Sequence, residues 1–261
     1  MSRIDAAFRD LRAAKRTGLV TYVTAGDPDL ERSRELLVRL HHAGADILEV
    51  GVPFSDPLAD GPVIQRASER AIAAGATLDK VLGLVSDIRS LVEAPIVLFT
   101  YANPILRMGL EVFVSRAKQV GVDGVLTLDV PPEESASFRT ALSRARIDTI
   151  FLLSPTTSVD RIRRAAALGS GFLYGISRLG VTGARDELAA SARELASRVR
   201  AETGMPLALG FGISRPEHIR AVSAYADAAV VGSALVNVIA EHGGSSRLFD
   251  EAERYVRWLK S

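Results

Sequence analysis

One pattern of residues recurs eight times along the 261-residue chain and limits what it can fold into. Each repeat is a short apolar or β-branched run, then a break rich in Gly, Pro, Asp or Ser, then an amphipathic stretch of helical length. The runs cover residues 18–25, 45–51, 94–101, 122–130, 147–154, 171–177, 205–212 and 226–233. Such alternation is typical of a parallel sheet covered by helices. Eight units in about 250 residues favour a closed (β/α)8 barrel.

An open doubly wound sheet is the alternative, and it is less favoured because no Gly-x-Gly-x-x-Gly motif follows the first run. We expect an additional helix over residues 1–16, where charged and apolar positions alternate. No linker or shift in composition divides the chain, so residues 1–261 are predicted to form a single domain. Residues 30–44 are typical of the predicted helices, because Leu36, Leu37 and Leu40 share one stripe and Gly44 marks the end.

Composition excludes several classes of function. The 32 basic and 31 acidic residues leave a formal net charge of +1, so the chain lacks the basic character that nucleic-acid binding needs. It has no cysteine, which excludes disulfides and thiolate chemistry, and its four histidines lack metal-ligand spacing. The sequence has no apolar run of about 18 residues and no apolar signal-peptide core near its start. We therefore expect a cytoplasmic protein without a histidine-bound metal.

Small residues follow the last predicted strands. Gly212 follows the seventh strand, and Gly232 and Ser233 follow the eighth. Barrels often bind phosphate between these two loops, where backbone N–H groups and a helix N-terminus face the anion. A further glycine-containing stretch, residues 180–184, follows the sixth strand. Each glycine could simply turn the chain, but their coincidence at neighbouring strand ends predicts a phosphate site.

Two acidic residues near the end of the second strand are candidate catalytic groups. Side chains alternate along residues 45–51, so Glu49 shares a face with Ile47, and both faces of a barrel strand are covered. A buried glutamate is either paired for structure or kept with a shifted pKa for chemistry. Asp60 follows in the loop PFSDPLADGP, residues 53–62, where it could instead be a turn residue. The pair is predicted to reach the barrel mouth in different environments, as acid and base roles require.

Aromatic residues concentrate near the predicted strand ends, namely Tyr22, Phe99, Tyr101, Phe172, Tyr174 and Phe211. In a chain that is only 6% aromatic, this concentration indicates a ligand with a flat apolar part, although each residue alone could be core. No lysine lies at a predicted strand end, which disfavours a Schiff-base aldolase. Carbon–carbon bond chemistry at this site therefore needs an electron sink within the substrate.

Seven segments carry a family resemblance. They are YVTAGDPD (22–29), ADILEVGVPFSDPLADGPVIQRASERA (45–71), YANPI (101–105), VDGVLTLDVPPEES (122–135), FLLSPTT (151–157), SRLGVTGAR (177–185) and GFGIS (210–214). With these segments in order over nearly its whole length, the chain resembles the tryptophan synthase alpha chain family. The resemblance implies a (β/α)8 barrel that cleaves indole-3-glycerol phosphate to indole and glyceraldehyde 3-phosphate by a retro-aldol step, without metal or cofactor. It also implies a beta-chain partner in an α2β2 complex.

The resemblance also implies roles for individual residues. Glu49 would be the general acid and base, and Asp60 would accept the indole N–H and stabilise positive charge on the ring. Thr182, in a lid over residues 177–187, would hydrogen-bond Asp60, and the loop residues Asp56 and Pro57 would face the partner. The remaining implied contacts are Tyr22, Phe99, Tyr101, Leu126 and Tyr174 around the substrate, and Gly183, Gly212, Gly232 and Ser233 at its phosphate.

Two residues depart from the family's pattern. Tyr22 stands where phenylalanine is common, and Leu128 stands where a smaller residue or proline is common, so either could reshape the indole pocket. Other functions stay open at this point. They are a free-standing lyase without a partner, a barrel that serves mainly as an allosteric subunit of the beta chain and, more remotely, a phosphosugar isomerase or epimerase, which leaves the loop at 53–62 unexplained.

Overall fold

Eight short parallel strands close into a barrel in the computed structural model, which describes residues 1–176, 185–210 and 212–261. Each strand pairs with the next along the chain, and the eighth pairs with the first. The strands are β1 (Gly18–Thr24), β2 (Ile47–Gly51), β3 (Ile96–Thr100), β4 (Gly124–Thr127), β5 (Asp148–Leu153), β6 (Leu173–Ile176), β7 (Leu207–Gly210) and β8 (Ala228–Val231). The closed (β/α)8 architecture predicted from the eightfold repeat is confirmed.

Twelve helices lie within the described residues. They are α1 (Arg3–Ala13), α2 (Leu30–His42), α3 (Pro62–Ala73), α4 (Leu78–Ile88), α5 (Ala102–Met108), α6 (Leu110–Val120), α7 (Ala136–Ala145), α8 (Val159–Leu168), α9 (Arg185–Glu202), α10 (Pro216–Ser223), α11 (Ser233–His242) and α12 (Leu248–Leu259). The additional N-terminal helix is present as α1, and the stripe Leu36, Leu37 and Leu40 of α2 is buried as predicted. None of the helices in the described ranges combines the length and apolar character that a membrane span needs.

The barrel has two apolar cores because neighbouring side chains of a strand face opposite sides. On β1, Leu19 and Val23 face outward and pack in the layer between the strands and the surrounding helices. Val20 and Tyr22 face inward and pack inside the barrel. Tyr22 pairs in register with Glu49 of β2, and both side chains are buried. The alternation therefore places a carboxyl group inside the barrel.

Helix α1 covers the end of the barrel where the strands begin. Its Phe8 packs on Phe172, with ring centroids 5.6 Å apart, and both rings belong to the interior core. Arg3 of the same helix forms an ion pair with Asp123, just before β4, at 3.0 Å. The prediction that groups Phe172 with the aromatic residues near the strand ends is therefore wrong. Because β6 begins at Leu173, Phe172 precedes the strand and lies at the closed end.

Candidate active site

Glu49 is an ionisable residue whose side chain lies inside the barrel. It lies on β2 with its side chain fully buried, and Tyr174 of β6 donates a long hydrogen bond of 3.5 Å to its Oε2. The other oxygen, Oε1, is buried without a donor among the described residues. Burial raises the pKa of Glu49 to about 8, the Tyr174 hydrogen bond opposes the shift, and the charge of Asp60 adds to it. At neutral pH this carboxyl holds its proton.

Asp60 occupies the rim of the barrel in the loop between β2 and α3. Tyr101, at the end of β3, donates a 3.0 Å hydrogen bond to its Oδ2 and accepts one of 3.0 Å from the backbone N–H of Ala59. Burial raises the pKa of Asp60 to about 6, and the hydrogen bond from Tyr101 opposes that shift. Asp60 is therefore ionised at neutral pH while Glu49 is protonated.

Aromatic rings line the interior beside these carboxyls. The Tyr22 and Phe99 rings meet edge to face with centroids 5.2 Å apart, and the Phe99 and Tyr174 centroids are 6.5 Å apart. Leu126 of β4 pairs in register with Phe99 and is fully buried. The Tyr22 ring lies directly over Gly51, where a Cβ would meet the Tyr22 hydroxyl oxygen at 2.2 Å. These residues form an apolar surface for a flat ligand.

The start of α11 lies next to this aromatic surface. Gly232 is the N-cap of α11 and Ser233 is its first residue. A Cβ on Gly232 would lie 3.7 Å from Cβ of Tyr22, so α11 begins beside this aromatic surface. Gly212, after β7, has a φ of +63°, a left-handed conformation that favours glycine. The first N–H groups of a helix have no intrahelical acceptor, which makes this end suited to an anion.

A comparison with known families identifies the family to which this site belongs. The model of the family described as tryptophan synthase alpha chain matches residues 8–259. The chain belongs to the tryptophan synthase alpha chain family. Cleavage of indole-3-glycerol phosphate is the reaction of this family, so the chain is a carbon–carbon lyase of tryptophan biosynthesis. The family also implies a beta-chain partner.

Relatives and solved structures agree with this membership. The tryptophan synthase alpha chain of Geotalea uraniireducens is 50% identical over 244 residues, 94% of this chain and 91% of that protein. That of Geobacter sulfurreducens is 48% identical over 260 residues, covering 100% and 98%. The crystal structure of the Legionella pneumophila alpha subunit superposes with a TM-score of 0.90 at 36% identity, covering 100% and 97%. A chain of Mycobacterium tuberculosis tryptophan synthase superposes with a TM-score of 0.90 at 34% sequence identity, and the match covers 99% of this chain and 96% of that chain.

The structure brings most residues implied by the family resemblance to one end of the barrel. Glu49, Tyr22, Phe99, Leu126 and Tyr174 share the interior core region, while Asp60 and Tyr101 meet at the rim. Thr182, Gly183 and Phe211 lie outside the described residues.

Several residues that face the site were not singled out from the sequence. Leu152 and Ile176 pack against the interior core, as do Val63 and Ile64 at the start of α3. The alternation of strands could have identified the first two, since each lies two residues after an inward-facing position. For the α3 pair, the sequence carries no comparable signal.

Proposed function

We propose that Glu49 and Asp60 divide the chemical work of the lyase reaction between them. The observation that carries this proposal is the placement of two carboxyls in different environments, with Glu49 buried inside the barrel beside Tyr174 and Asp60 held at the rim by Tyr101. Burial holds the pKa of Glu49 at about 8, whereas that of Asp60 is about 6. One fold thereby presents an acid and an anion to the same substrate.

In the proposed reaction, Glu49 first acts as a general acid. It transfers its proton to carbon C3 of the indole ring, which makes the ring a cation able to accept an electron pair. The Glu49 carboxylate then removes the proton of the side-chain hydroxyl next to C3. The carbon–carbon bond breaks, its electrons re-form the ring double bond, and the hydroxyl carbon becomes the aldehyde of glyceraldehyde 3-phosphate. Indole keeps the first proton, and Glu49 ends the cycle protonated.

Asp60 acts as an electrostatic stabiliser in this scheme. Its carboxylate accepts the indole N–H and lowers the energy of the ring cation as positive charge develops on the nitrogen. Tyr101 supports that role because its hydroxyl donates to Oδ2 and so fixes the carboxylate at the rim. Tyr22, Phe99 and Leu126 enclose the ring, and Tyr174 orients Glu49 and the substrate beside it.

The phosphate group of the substrate is assigned to the start of α11, beside Tyr22. This end of the site follows β8, which lies on the other side of β1 from the strand that carries Glu49. Gly212, Gly232 and Ser233 would hold the phosphate through backbone N–H groups and one hydroxyl at the start of α11. Gly183 and Thr182, which lie outside the described residues, complete the set of contacts that the family resemblance implies.

The pH dependence of indole release tests the assignment of the two carboxyls. The productive form has Asp60 ionised and Glu49 protonated, so kcat/KM is expected to fall below about pH 6 and above about pH 8. The measurement is kcat/KM for indole-3-glycerol phosphate between pH 5 and about 9.5 with the purified chain. A rate that stays flat through pH 9 would contradict the acid role of Glu49.

The low-pH limb needs a separate control because phosphate monoesters also titrate near pH 6. The control is the same profile in Asp60→Asn. If Asp60 sets the limb, the variant loses it, whereas a limb that belongs to the substrate's phosphate persists unchanged.

We also propose that the beta chain docks on the loop 53–62 and α5, in an α2β2 assembly. Leu58 at the tip of this loop is 93% exposed, and Leu106 on α5 is 58% exposed. The Phe54 and Tyr101 rings lie 5.1 Å apart, which packs the loop against the residue that precedes α5. Exposed large apolar side chains on adjacent segments are typical of protein interfaces. Docking there would act directly on the loop that carries Asp60.

Replacing Leu58 with aspartate is expected to weaken beta-chain binding at least about 10-fold, because a charge would be buried in the interface. The dissociation constant is measured by calorimetry with a purified tryptophan synthase beta chain. Leu91→Asp is the matched control, since Leu91 is 57% exposed and precedes β3 at the other end of the barrel. Equal binding by both variants would remove this surface from the proposal.

Indole release by the isolated chain, measured with and without the beta chain, separates the remaining functional alternatives. Slow indole release by the isolated chain that rises on addition of the beta chain supports the subunit assignment. A fast rate that ignores the beta chain indicates a free-standing lyase. Feeble release under both conditions, with binding intact, indicates a barrel that serves mainly as an allosteric subunit.

A further inference from the structure

Gln65, on the first turn of α3, holds the main chain of the loop that carries Asp60. Its Nε2 donates a 2.9 Å hydrogen bond to the backbone carbonyl of Asp60 and a longer one, 3.4 Å, to that of Pro57. A single amide group therefore binds the loop on both sides of its exposed tip at Leu58. Among the described residues, the side chain of Gln65 donates hydrogen bonds to main-chain atoms of the loop, whereas Tyr101 donates to the Asp60 carboxylate.

The loop depends on contacts of this kind. Gly61, the N-cap of α3, has no side chain with which to fix the junction between loop and helix. The loop's tip residues 58 and 59 are exposed, so they contribute little packing. The position of the Asp60 carboxylate is then set by two anchors, which are Tyr101 on the carboxylate and Gln65 on the carbonyl of the same residue.

Helix α3 is itself fixed to the barrel, so Gln65 projects from a rigid base. Arg70 of α3 donates two hydrogen bonds of 2.8 Å, one to each carboxylate oxygen of Asp27. Asp27 is buried in the loop between β1 and α2. A bidentate pair of this type restrains both position and orientation. The helix also packs against α11 and β1.

We propose that Gln65 is a positioning residue for the lyase reaction, acting through the main chain of Asp60. The proposal rests on the proposed role of the Asp60 carboxylate at the indole nitrogen. Without the amide of Gln65, the loop loses the hydrogen bond to the backbone carbonyl of Asp60, the residue whose carboxylate acts on the substrate. The carboxylate then spends less time where positive charge develops, which lowers kcat more than it weakens substrate binding.

Steady-state kinetics of Gln65→Met test the proposal, because methionine keeps the length of the side chain and removes the donor. We expect kcat for indole release to fall about 10-fold with KM changed less than about 3-fold. Gln119→Met is the matched control, since Gln119 is the chain's other glutamine and lies exposed on α6. Gln65→Glu is a second variant of nearly the same shape, which when ionised presents acceptors to the two carbonyls, and it is expected to lose at least as much kcat.

A double-mutant cycle distinguishes positioning from general stabilisation. If Gln65 acts through Asp60, then Gln65→Met has little further effect on kcat in the Asp60→Asn background. An undiminished 10-fold loss in that background, or unchanged kcat in both single variants of Gln65, would overturn the proposal. If Asp60→Asn alone leaves kcat intact, the proposed role of Asp60 fails first, and the two failures are thereby told apart.

Discussion

Indole release by a Glu49→Gln variant is expected to fall by at least about 100-fold, because the variant can neither donate nor accept the proton that the reaction moves. Glutamine has nearly the same shape and can still accept the hydrogen bond that Tyr174 donates to Oε2. Binding of the substrate should therefore survive, so that the loss appears in kcat with KM changed little. The measurement is steady-state indole release at pH 7.

Protein stability supplies the control for this variant. Burial raises the pKa of Glu49 from 4.5 to about 8, so the folded protein binds that proton more tightly than the unfolded chain does. The free energy of unfolding of the parent protein is therefore expected to decrease as the pH rises between these two values. Glutamine does not ionise, and Glu49→Gln should be more stable than the parent at pH 9.

Glu194→Gln, at an exposed position of α9, should match the parent in rate and in stability. Activity of Glu49→Gln within 10-fold of the parent would contradict the acid–base role of Glu49.

The barrel could be predicted from the sequence because the pattern that produces it repeats along the chain. Runs of residues buried on both faces alternate with amphipathic helices, and this pattern leaves few other folds. Glu49 could be found for the same reason, since a carboxyl inside such a run must lie in the interior or the helix layer. The position of Tyr22 beside Glu49 can be predicted once β1 and β2 are paired in register.

Other parts of the site depend on geometry that the sequence does not carry. Phe172 was grouped with the residues at the strand ends, but it precedes β6, and its ring packs on Phe8 of α1 at the end of the barrel where the strands begin. Gln65 binds carbonyls five and eight residues earlier in the chain, which depends on how the loop folds back. The difference between the pKa values of Glu49 and Asp60 likewise cannot be predicted from the sequence, because it depends on how deeply each carboxyl is buried.

Replacing Asp60 with asparagine is expected to lower kcat by about 100-fold, since the variant loses the charge that stabilises the indole cation. Tyr101 can still donate its hydrogen bond to the amide oxygen, so the loop should keep its place. The reference variant is Asp160→Asn, whose side chain is 92% exposed in the first turn of α8 and should leave the rate unchanged.

The pH profile of Asp60→Asn provides a second, independent readout, because the two carboxyls interact. The charge of Asp60 is one cause of the raised pKa of Glu49, so its removal should move the high-pH limb of kcat/KM downward from about 8. A structural defect would lower the rate at every pH without moving that limb. If the high-pH limb stays in place while the rate falls, Asp60 supports the loop but its charge does not raise the pKa of Glu49. If both change together, the two carboxyls act on the substrate as one coupled pair.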